Sequence, residues 1–428
     1  MIKIYDYEAM PVEKILERSF PTDNVADAVA AILADVKSRG DEALFEYTER
    51  FDRVKLDSLE ITKEEFERGA ADADPELVEI MKQAAENIRA YHSAQVRHSH
   101  ITKQEKGVII GQRIMGVARA ALYVPGGTAR YPSSVLMKAI PAKLAGVGEV
   151  IMTTPPAPDG TIPSDILAAA KIAGVDRIFK LGGAQAVAAF AYGTASVPRV
   201  DKIVGPGNAF VAEAKRQVYG LVSIDMIAGP SEILVVSDGK NDPAVLAADM
   251  LSQAEHDRNS SAVLVTVRRE EAEAVSAELE GQIPLLPRAE ISRASIDNNG
   301  KIIIVPDIEK AVEMSNALAP EHLELAVEDP FELLSAVTDA GSVFMGRNCP
   351  EPLGDYFAGT NHTLPTSGTA RFSSPLSVDD FVKKSSFTYY TADALNEVCE
   401  DIAYFARREG LEAHARSALA RQGKEENK

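Results

Sequence analysis

From about residue 119 the chain alternates short apolar, often β-branched runs with alanine-rich segments. In a first block the apolar runs are EVIMTT, RIFKLGG and KIVGPG, separated by ILAAAKIAG and AQAVAAFAYG. The pattern resumes with SEILVVSD, SAVLVTVRR and KIIIVPD, again separated by segments of helical pattern, with a further helix expected at 308–317. This alternation predicts parallel strands joined by helical crossovers, and its two blocks predict two α/β units.

The segments outside these blocks predict helices. Residues 24–39 (NVADAVAAILADVKSR) have helical periodicity, with a capping-type pair Asp23–Asn24 at the start and Gly40 at the end. Residues 64–98 and the chain from Asp379 onward are charged and helical in pattern, and the tail GKEENK is expected to fray. We therefore expect two Rossmann-like parallel-sheet domains with small helical segments at both ends. The expected divisions are an N-terminal segment 1–20, a larger α/β domain 21–122 and 233–378, a second domain 123–232, and a C-terminal helical arm 379–428.

Composition narrows the classes of partner. Sixty-four acidic against 45 basic residues give a net charge of −19 over 428 residues, which argues against a nucleic-acid partner. The N-terminal MIKIYDYEAMPVEKIL has no signal-peptide pattern, and no apolar run approaches the roughly 20 residues of a membrane span. The two cysteines, Cys349 and Cys399, are compatible with a reducing compartment. We expect a cytoplasmic protein without a membrane partner.

Three stretches concentrate groups that can perform chemistry. In LSQAEHDRNS (251–260), Gln253 and His256 fall three residues apart on a helix that starts at Asp242–Pro243, so both can face one metal ion. Histidine suits zinc, whereas glutamine is an uncommon zinc ligand, and a solvated helix end is the simpler interpretation of this pair alone. In APEHLEL, Glu321 and His322 are adjacent on a loop before a strand-like run. They can form a general acid/base pair or a polar turn.

The third stretch, GDYFAGTNHTLPTSGTAR (354–371), has few core-forming residues and predicts a long functional loop or a lid without chemistry. Asp355 can complete a metal site, and His362 can meet a substrate carboxylate. Glycine-rich turns at VPGG, KLGG and VGPGN each follow a strand-like run and can bind anions, although none is a GxGxxG. His92, His98 and His100 lie in or after a charged helix and are expected at the surface.

Taken together, these segments resemble the histidinol dehydrogenase family over about residues 20–421. The most specific segments are LYVPGG, GGAQA, VGPGN, AGPSE, LSQAEHD, PEHLEL, GDYFAGTNHTLPTSGTAR and EGLEAHARS, which occur in order. The resemblance implies oxidation of L-histidinol to L-histidine, the last two steps of histidine biosynthesis, by an NAD- and zinc-dependent enzyme. In that family two chains form a homodimer in which each active site draws residues from both subunits.

The resemblance also implies the role of each matching residue. Zinc would be held by Gln253, His256, Asp355 and His414. The catalytic pair would be Glu321 and His322. NAD would contact Tyr123, Gln185 and Asn208, on the side of the 123–232 domain. Substrate would contact the zinc ligands together with Ser231, His322, His362 and Glu409, the last of which, like His414, would come from the partner subunit.

The implied chemistry is consistent with these residue types. His322, with an expected pKa near neutrality, would accept the hydroxyl proton as hydride leaves the alcohol, and Glu321 would activate the water that adds to the aldehyde. Zinc would orient the substrate more than take part in the redox step. The alternatives are a related zinc- and NAD-dependent dehydrogenase of another small alcohol, a zinc hydrolase using Glu321, and a non-catalytic dinucleotide-binding protein.

Overall fold

A computed structural model of the chain describes residues 1–9, 11–17, 25–126 and 130–422. Within these ranges, strands β1 to β14 are, in chain order, Lys3–Asp6, His100–Glu105, Val108–Gly116, Arg119–Tyr123, Glu149–Thr154, Arg177–Lys180, Lys202–Val204, Ser223–Ile224, Glu232–Ser237, Ser261–Thr266, Lys301–Ile304, His322–Ala326, Ser342–Met345 and Val382–Tyr390.

Helices α1 to α17 in the same ranges are Val12–Ile15, Ala26–Arg39, Asp41–Phe51, Lys63–Ala71, Pro75–Ser93, Pro132–Leu144, Ser164–Ala173, Gly183–Tyr192, Ala209–Val218, Pro243–Ala254, Arg269–Gln282, Ala289–Asn299, Ile308–Leu318, Pro330–Leu334, Glu351–Tyr356, Ala392–Arg408 and Glu412–Leu419. Short 3-10 helices lie at Tyr7–Ala9, Ile283–Leu285, Thr369–Arg371 and Val378–Phe381. None of the described helices is long and apolar enough to span a bilayer.

Two sheets consist entirely of parallel pairings, as the alternating pattern predicts. One has six strands in the order β1-β11-β10-β9-β12-β13, and the other has five in the order β6-β5-β4-β7-β8. Apart from β1 at the edge, each sheet is built in the same way along the chain. Its first strand (β4 or β9) is central, the next two strands are added on one side, and the last two are added on the other side. In such sheets the order reverses at a switch point, here between β4 and β7 and between β9 and β12.

The helices of residues 26–93 pack against the five-stranded sheet. Apolar residues of α2 and α3 share one core with β6 and α8, and those of α4 and α5 share another with β4, β5 and α6. These helices therefore cover the sheet formed mostly by residues of 123–232, while the predicted division of the chain into domains stays a prediction. The periodicity of a surface helix shows which of its faces is buried, but not which sheet covers that face.

The predictions for single helices and for the exposure of histidines are confirmed only in part. The helix predicted for 24–39 is present as α2 with Gly40 at its end, while Asp23–Asn24 lie outside the described residues, as does GKEENK. The predicted helix 64–98 is two helices, α4 and α5, because Asp74 caps a new start with Pro75 at the first position. His92 is buried rather than exposed, whereas His98 and His100 are exposed as expected.

The C-terminal arm begins with a strand, so the prediction that the chain is helical from Asp379 onward is wrong for 382–390. Strand β14 pairs with β3, which also pairs with β2, in an antiparallel three-stranded sheet. Its sequence VKKSSFTYY contains β-branched and aromatic residues that favour a strand despite its charge. Helices α16 and α17 follow and pack against each other.

Candidate active site

A cavity of about 630 Å³ lies between the two parallel sheets. On one side it is lined by Gly126, after β4, and by Gly207 and Asn208, after β7. These loops follow the carboxyl ends of the two strands at the switch point, where open α/β sheets usually bind ligands. On the other side the cavity is lined by Ser231 and His322, at the amino-terminal ends of β9 and β12. The carboxyl edge of one sheet therefore faces the amino-terminal edge of the other.

Glu321 and His322 are buried side by side on this cavity. The sequence analysis placed His322 on a loop before a strand, but in the structure it is the first residue of β12. Both side chains are fixed by the backbone of Glu232: its N–H donates to Glu321 Oε2 at 2.8 Å, and its carbonyl oxygen lies 2.9 Å from His322 Nδ1. If Nδ1 carries the proton and donates to that oxygen, Nε2 presents its lone pair to the opposite side of the ring.

Carboxylates surround the imidazole. Nε2 of His322 lies 3.6 Å from Asp355 Oδ1 and 3.7 Å from Glu351 Oε1. Burial lowers the pKa of His322, but the negative charges of Glu321 and Asp355 outweigh it and raise that pKa to about 10. For Glu321, burial has the opposite effect: it raises the pKa of this carboxyl to about 8. The expectation of a near-neutral His322 pKa is therefore wrong for the chain by itself, because these neighbouring charges could not be located from sequence.

Three of the four predicted metal ligands lie on the cavity: Gln253, His256 and Asp355. Helix α10 starts as predicted, with Asp242 Oδ1 accepting from Ala244 N, but it ends at Ala254, so His256 lies just beyond it. Gln253 is only 1% exposed and lies near enough to Glu351 to lower the pKa of that carboxyl, yet neither polar atom of its side chain has a partner with hydrogen-bond geometry among the described residues. Buried amides are normally hydrogen-bonded, so an unsatisfied one beside carboxylates suits a bound cation.

The structure adds Glu351, which the sequence analysis missed, to this group. Ligand atoms of His322, Glu351 and Asp355 all lie within 4.8 Å of one another. Burial raises the pKa of Glu351 to about 7, and the charge of Asp355 adds to the increase. The segment RNCPEP carries no local signal for this role, because Glu351 reaches the site only through the packing of α15. Cys349 in the same segment is half-buried and does not line the cavity.

His362 forms a second polar contact with the cavity wall. Its Nε2 lies 3.1 Å from Ser134 Oγ, and its Nδ1 lies 3.2 Å from the carbonyl oxygen of Asp355. If Nδ1 donates to that carbonyl oxygen, the Ser134 hydroxyl can donate to Nε2. Burial lowers the pKa of His362, and the charge of Lys138 acts in the same direction, whereas Asp355 opposes it.

The predicted NAD contacts lie at the carboxyl edge of the five-stranded sheet. Asn208 lines the cavity and caps α9, with its Oδ1 accepting from two backbone N–H groups at 3.1 Å. Tyr123 and Gln185 are buried outside the cavity lining, and both lie close to Gly183. The Gly183 N–H donates to Tyr123 Oη at 3.0 Å, while the buried Oε1 of Gln185 makes no hydrogen bond to any residue that the structure describes.

Glu409 and His414 do not reach this cavity within one chain. Both are exposed on the C-terminal arm, and neither lines the cavity. The arm also exposes large apolar side chains: Ile402 at 42%, Tyr404 at 69%, Phe405 at 68% and Leu411 at 42%. Apolar surface of this extent on one helical segment is typical of a protein interface.

The fold and the site together define an α/β enzyme with a buried carboxylate–imidazole pair between its two parallel sheets. The family model for histidinol dehydrogenase matches residues 17–422, so the chain belongs to the histidinol dehydrogenase family and is an oxidoreductase.

Relatives of known name agree with this assignment. The chain is 53% identical to the histidinol dehydrogenase of Clostridium acetobutylicum, covering 93% of this chain and 92% of that protein. It is 55% identical to the one of Geobacillus kaustophilus, covering 95% and 96%. The crystal structure of histidinol dehydrogenase from Elizabethkingia anophelis superposes with a TM-score of 0.93 at 36% identity, covering 98% of each chain.

Proposed function

We propose that the chain oxidises L-histidinol to L-histidine through L-histidinaldehyde, with two molecules of NAD reduced per substrate and one zinc ion per site. The observation that carries this proposal is the juxtaposition, on one cavity, of a dinucleotide-type switch point with the buried Glu321–His322 pair. A hydride acceptor and an acid/base pair are the two requirements of alcohol oxidation. A hydrolase would need the pair but no dinucleotide crevice.

The cofactor crevice is assigned to the loops after β4 and β7. Asn208 stands at the amino-terminal end of α9, where backbone N–H groups and the helix dipole favour anions. Tyr123, at the end of β4, and Gln185, in the first turn of α8, both lie against Gly183 and would contact another part of the dinucleotide. The unsatisfied Oε1 of Gln185 supports this assignment, because a bound ligand can supply its missing hydrogen bond.

Gln253, His256 and Asp355 fit a divalent cation by their chemistry. They offer an amide oxygen, an imidazole whose pKa is lowered by burial, and a carboxylate. Imidazole and carboxylate are common zinc ligands, and we infer that His414 of a partner subunit completes the set. When bound, zinc would hold substrate nitrogens and fix the orientation of the carbon that loses hydride. Glu351 lies against the same group and is an additional candidate ligand or counter-charge.

His322 is assigned as the base that takes the hydroxyl proton. The carboxylates of Glu321, Asp355 and Glu351 stabilise the imidazolium that results, and they also keep the ring protonated near pH 7 in the chain alone. A divalent cation beside Asp355 would offset that carboxylate and return His322 to the basic form needed at the start of turnover.

Glu321 is assigned to the second oxidation. The aldehyde yields hydride readily only after water adds, and a carboxylate beside it can remove the proton from that water. Because burial raises the pKa of Glu321 to about 8, its basic form increases as the pH rises through that value. His362 and Ser231 line the same cavity and are assigned to the substrate, as the resemblance implies.

We further infer that the enzyme is a homodimer with shared sites. The exposure of Glu409 and His414, and the apolar surface beside them on the arm, support docking of each arm on a partner chain. Tyr356 and Phe357, at the end of α15 next to Asp355, are also exposed, at 62% and 41%, and offer apolar surface at the site for an incoming arm.

A substrate panel tests the proposal. The purified zinc-loaded protein is mixed with NAD and, in parallel, with L-histidinol, L-histidinaldehyde and other small primary alcohols, and NADH formation is followed. We expect L-histidinol and its aldehyde to give the highest kcat/KM. A higher value with another alcohol would assign a different substrate within the same chemistry, and absence of NADH with every alcohol would refute the dehydrogenase function.

A further inference from the structure

Three buried charged side chains lie beneath the switch point between β4 and β7; we call Lys138, Lys215 and Asp225 the switch-point charges. Lys138 is fully buried, and the side chains of Lys215 and Asp225 are each 1% exposed. Lys215 pairs with Asp225 and also donates to the carbonyl oxygen of Gly205 at 2.9 Å. Since these two charges compensate each other, the ammonium of Lys138 remains as surplus positive charge.

The position of this ammonium is fixed by the ends of both switch-point strands. Its Nζ donates to the carbonyl oxygen of Tyr123, the last residue of β4, at 3.0 Å. Gly205, which follows β7, approaches so closely that a Cβ there would lie 2.2 Å from that oxygen and 3.1 Å from Nζ. With its φ of 118°, Gly205 is therefore restricted to glycine by both space and conformation. The loops that continue from these two residues line the cavity.

No carboxylate forms an ion pair with Lys138 in the described part of the chain. A buried ammonium without an ion-pair partner is energetically costly, and a protein that retains one usually uses its charge. The charged or titratable groups that act on it are Asp225, Lys215 and, from the cavity wall, His362. Burial lowers the pKa of Lys138 to about 7; Lys215 acts in the same direction and Asp225 opposes it.

We propose that Lys138 is an affinity-determining residue for the dinucleotide, its buried ammonium attracting the pyrophosphate bound in the crevice above. This inference rests on the proposed NAD dependence and adds a contribution to binding that the predicted contacts Tyr123, Gln185 and Asn208 do not include. A unit charge about 10 Å from a phosphate, at an effective dielectric constant of about 20, changes a dissociation constant by roughly tenfold. Protonated Lys138 should therefore bind the dinucleotide tightly and neutral Lys138 weakly.

The test is the dissociation constant of NADH, measured by fluorescence with the full-length protein at about pH 6 and about pH 8.5, on either side of that pKa. The wild-type constant should rise by roughly tenfold between these values. Lys138→Met should bind weakly at both and show little pH dependence. Lys138→Gln keeps a donor for the Tyr123 carbonyl without the charge, and it should behave like Lys138→Met. ADP-ribose, which has the pyrophosphate without nicotinamide, should reproduce the wild-type pH dependence.

Lys143→Met is the matched control. Lys143 lies on the same helix and is also cationic, but it is partly exposed and paired with Asp176 at 2.6 Å, so this variant should retain wild-type affinity and pH dependence. Wild-type behaviour in Lys138→Met, or recovery of tight binding by Lys138→Gln at low pH, would overturn the role of Lys138 but not the proposed NAD dependence. Failure of the wild-type protein to bind NADH at either pH would overturn the proposed NAD dependence and this inference with it.

Discussion

Each active site should need residues from two chains, and mixing two inactive variants tests this. His322 lies on the cavity, whereas His414 is exposed on the arm, so His322→Asn and His414→Asn damage opposite contributions to a shared site. Either homodimer carries a lesion in both of its sites. In a mixed dimer, one site collects both lesions and the other has none. Random reassociation makes about half of the dimers mixed, each with one intact site of two, so activity should recover to roughly a quarter of wild type.

The assay is NADH formation from L-histidinol after subunit exchange, with exchange verified by differently tagged chains. His98→Asn, which replaces an exposed histidine away from the cavity, is the control and should be active without mixing. If His414 served its own chain, every site in the mixture would carry one lesion. Absence of recovery despite verified exchange would then refute the shared-site arrangement.

Three further predictions follow from the buried charges and the proposed metal site. Gln253→Ala and His256→Ala should lower both the zinc content and the activity of the protein. Chelation of zinc should weaken substrate binding more than NADH binding. Full activity in metal-free protein would exclude a role of zinc in orienting the substrate. The rate of aldehyde oxidation should rise with pH through about 8, the pKa of Glu321. Glu321→Gln should lose that rise and should slow aldehyde oxidation more than alcohol oxidation. Equal losses in the two steps would contradict the division of roles between Glu321 and His322. Lys138 should destabilise the fold relative to Lys138→Met most strongly below about pH 7. Because its pKa falls from 10.5 to about 7 on folding, the unfolded chain binds more protons than the folded chain between these two pH values. The stability difference should therefore shrink by up to about 1.4 kcal/mol per pH unit as the pH rises from about 7 towards 10.5, which urea unfolding at several pH values can measure.

The parallel-sheet architecture could be predicted from the sequence because its signals are local. Strands buried on both faces, such as β9 and β10, appear as continuous apolar runs, and the helices between them carry their own start signals, as at Asp242–Pro243. The strand β14 was missed because its charged residues, in a region otherwise helical in pattern, concealed a pairing with β3 more than 260 residues earlier. Edge strands depend on such distant partners more than on their own composition.

The candidate site was predictable in part. Gln253, His256, Glu321, His322 and Asp355 were singled out from residue type and spacing, and the structure brings them to one cavity. Glu351 and the switch-point charges were not identified, because each is placed by tertiary packing alone. The raised pKa of His322 has the same origin, since it depends on carboxylates from separate segments meeting around one ring.

The stoichiometry of the reaction tests the central claim most directly. A limiting, known amount of L-histidinol is incubated to completion with the zinc-loaded protein and excess NAD, and both NADH and the organic product are quantified. The proposed function predicts two NADH and one L-histidine per L-histidinol, because the same cavity supports both hydride transfers. One NADH per substrate with accumulation of the aldehyde, or no NADH from L-histidinol, would contradict it.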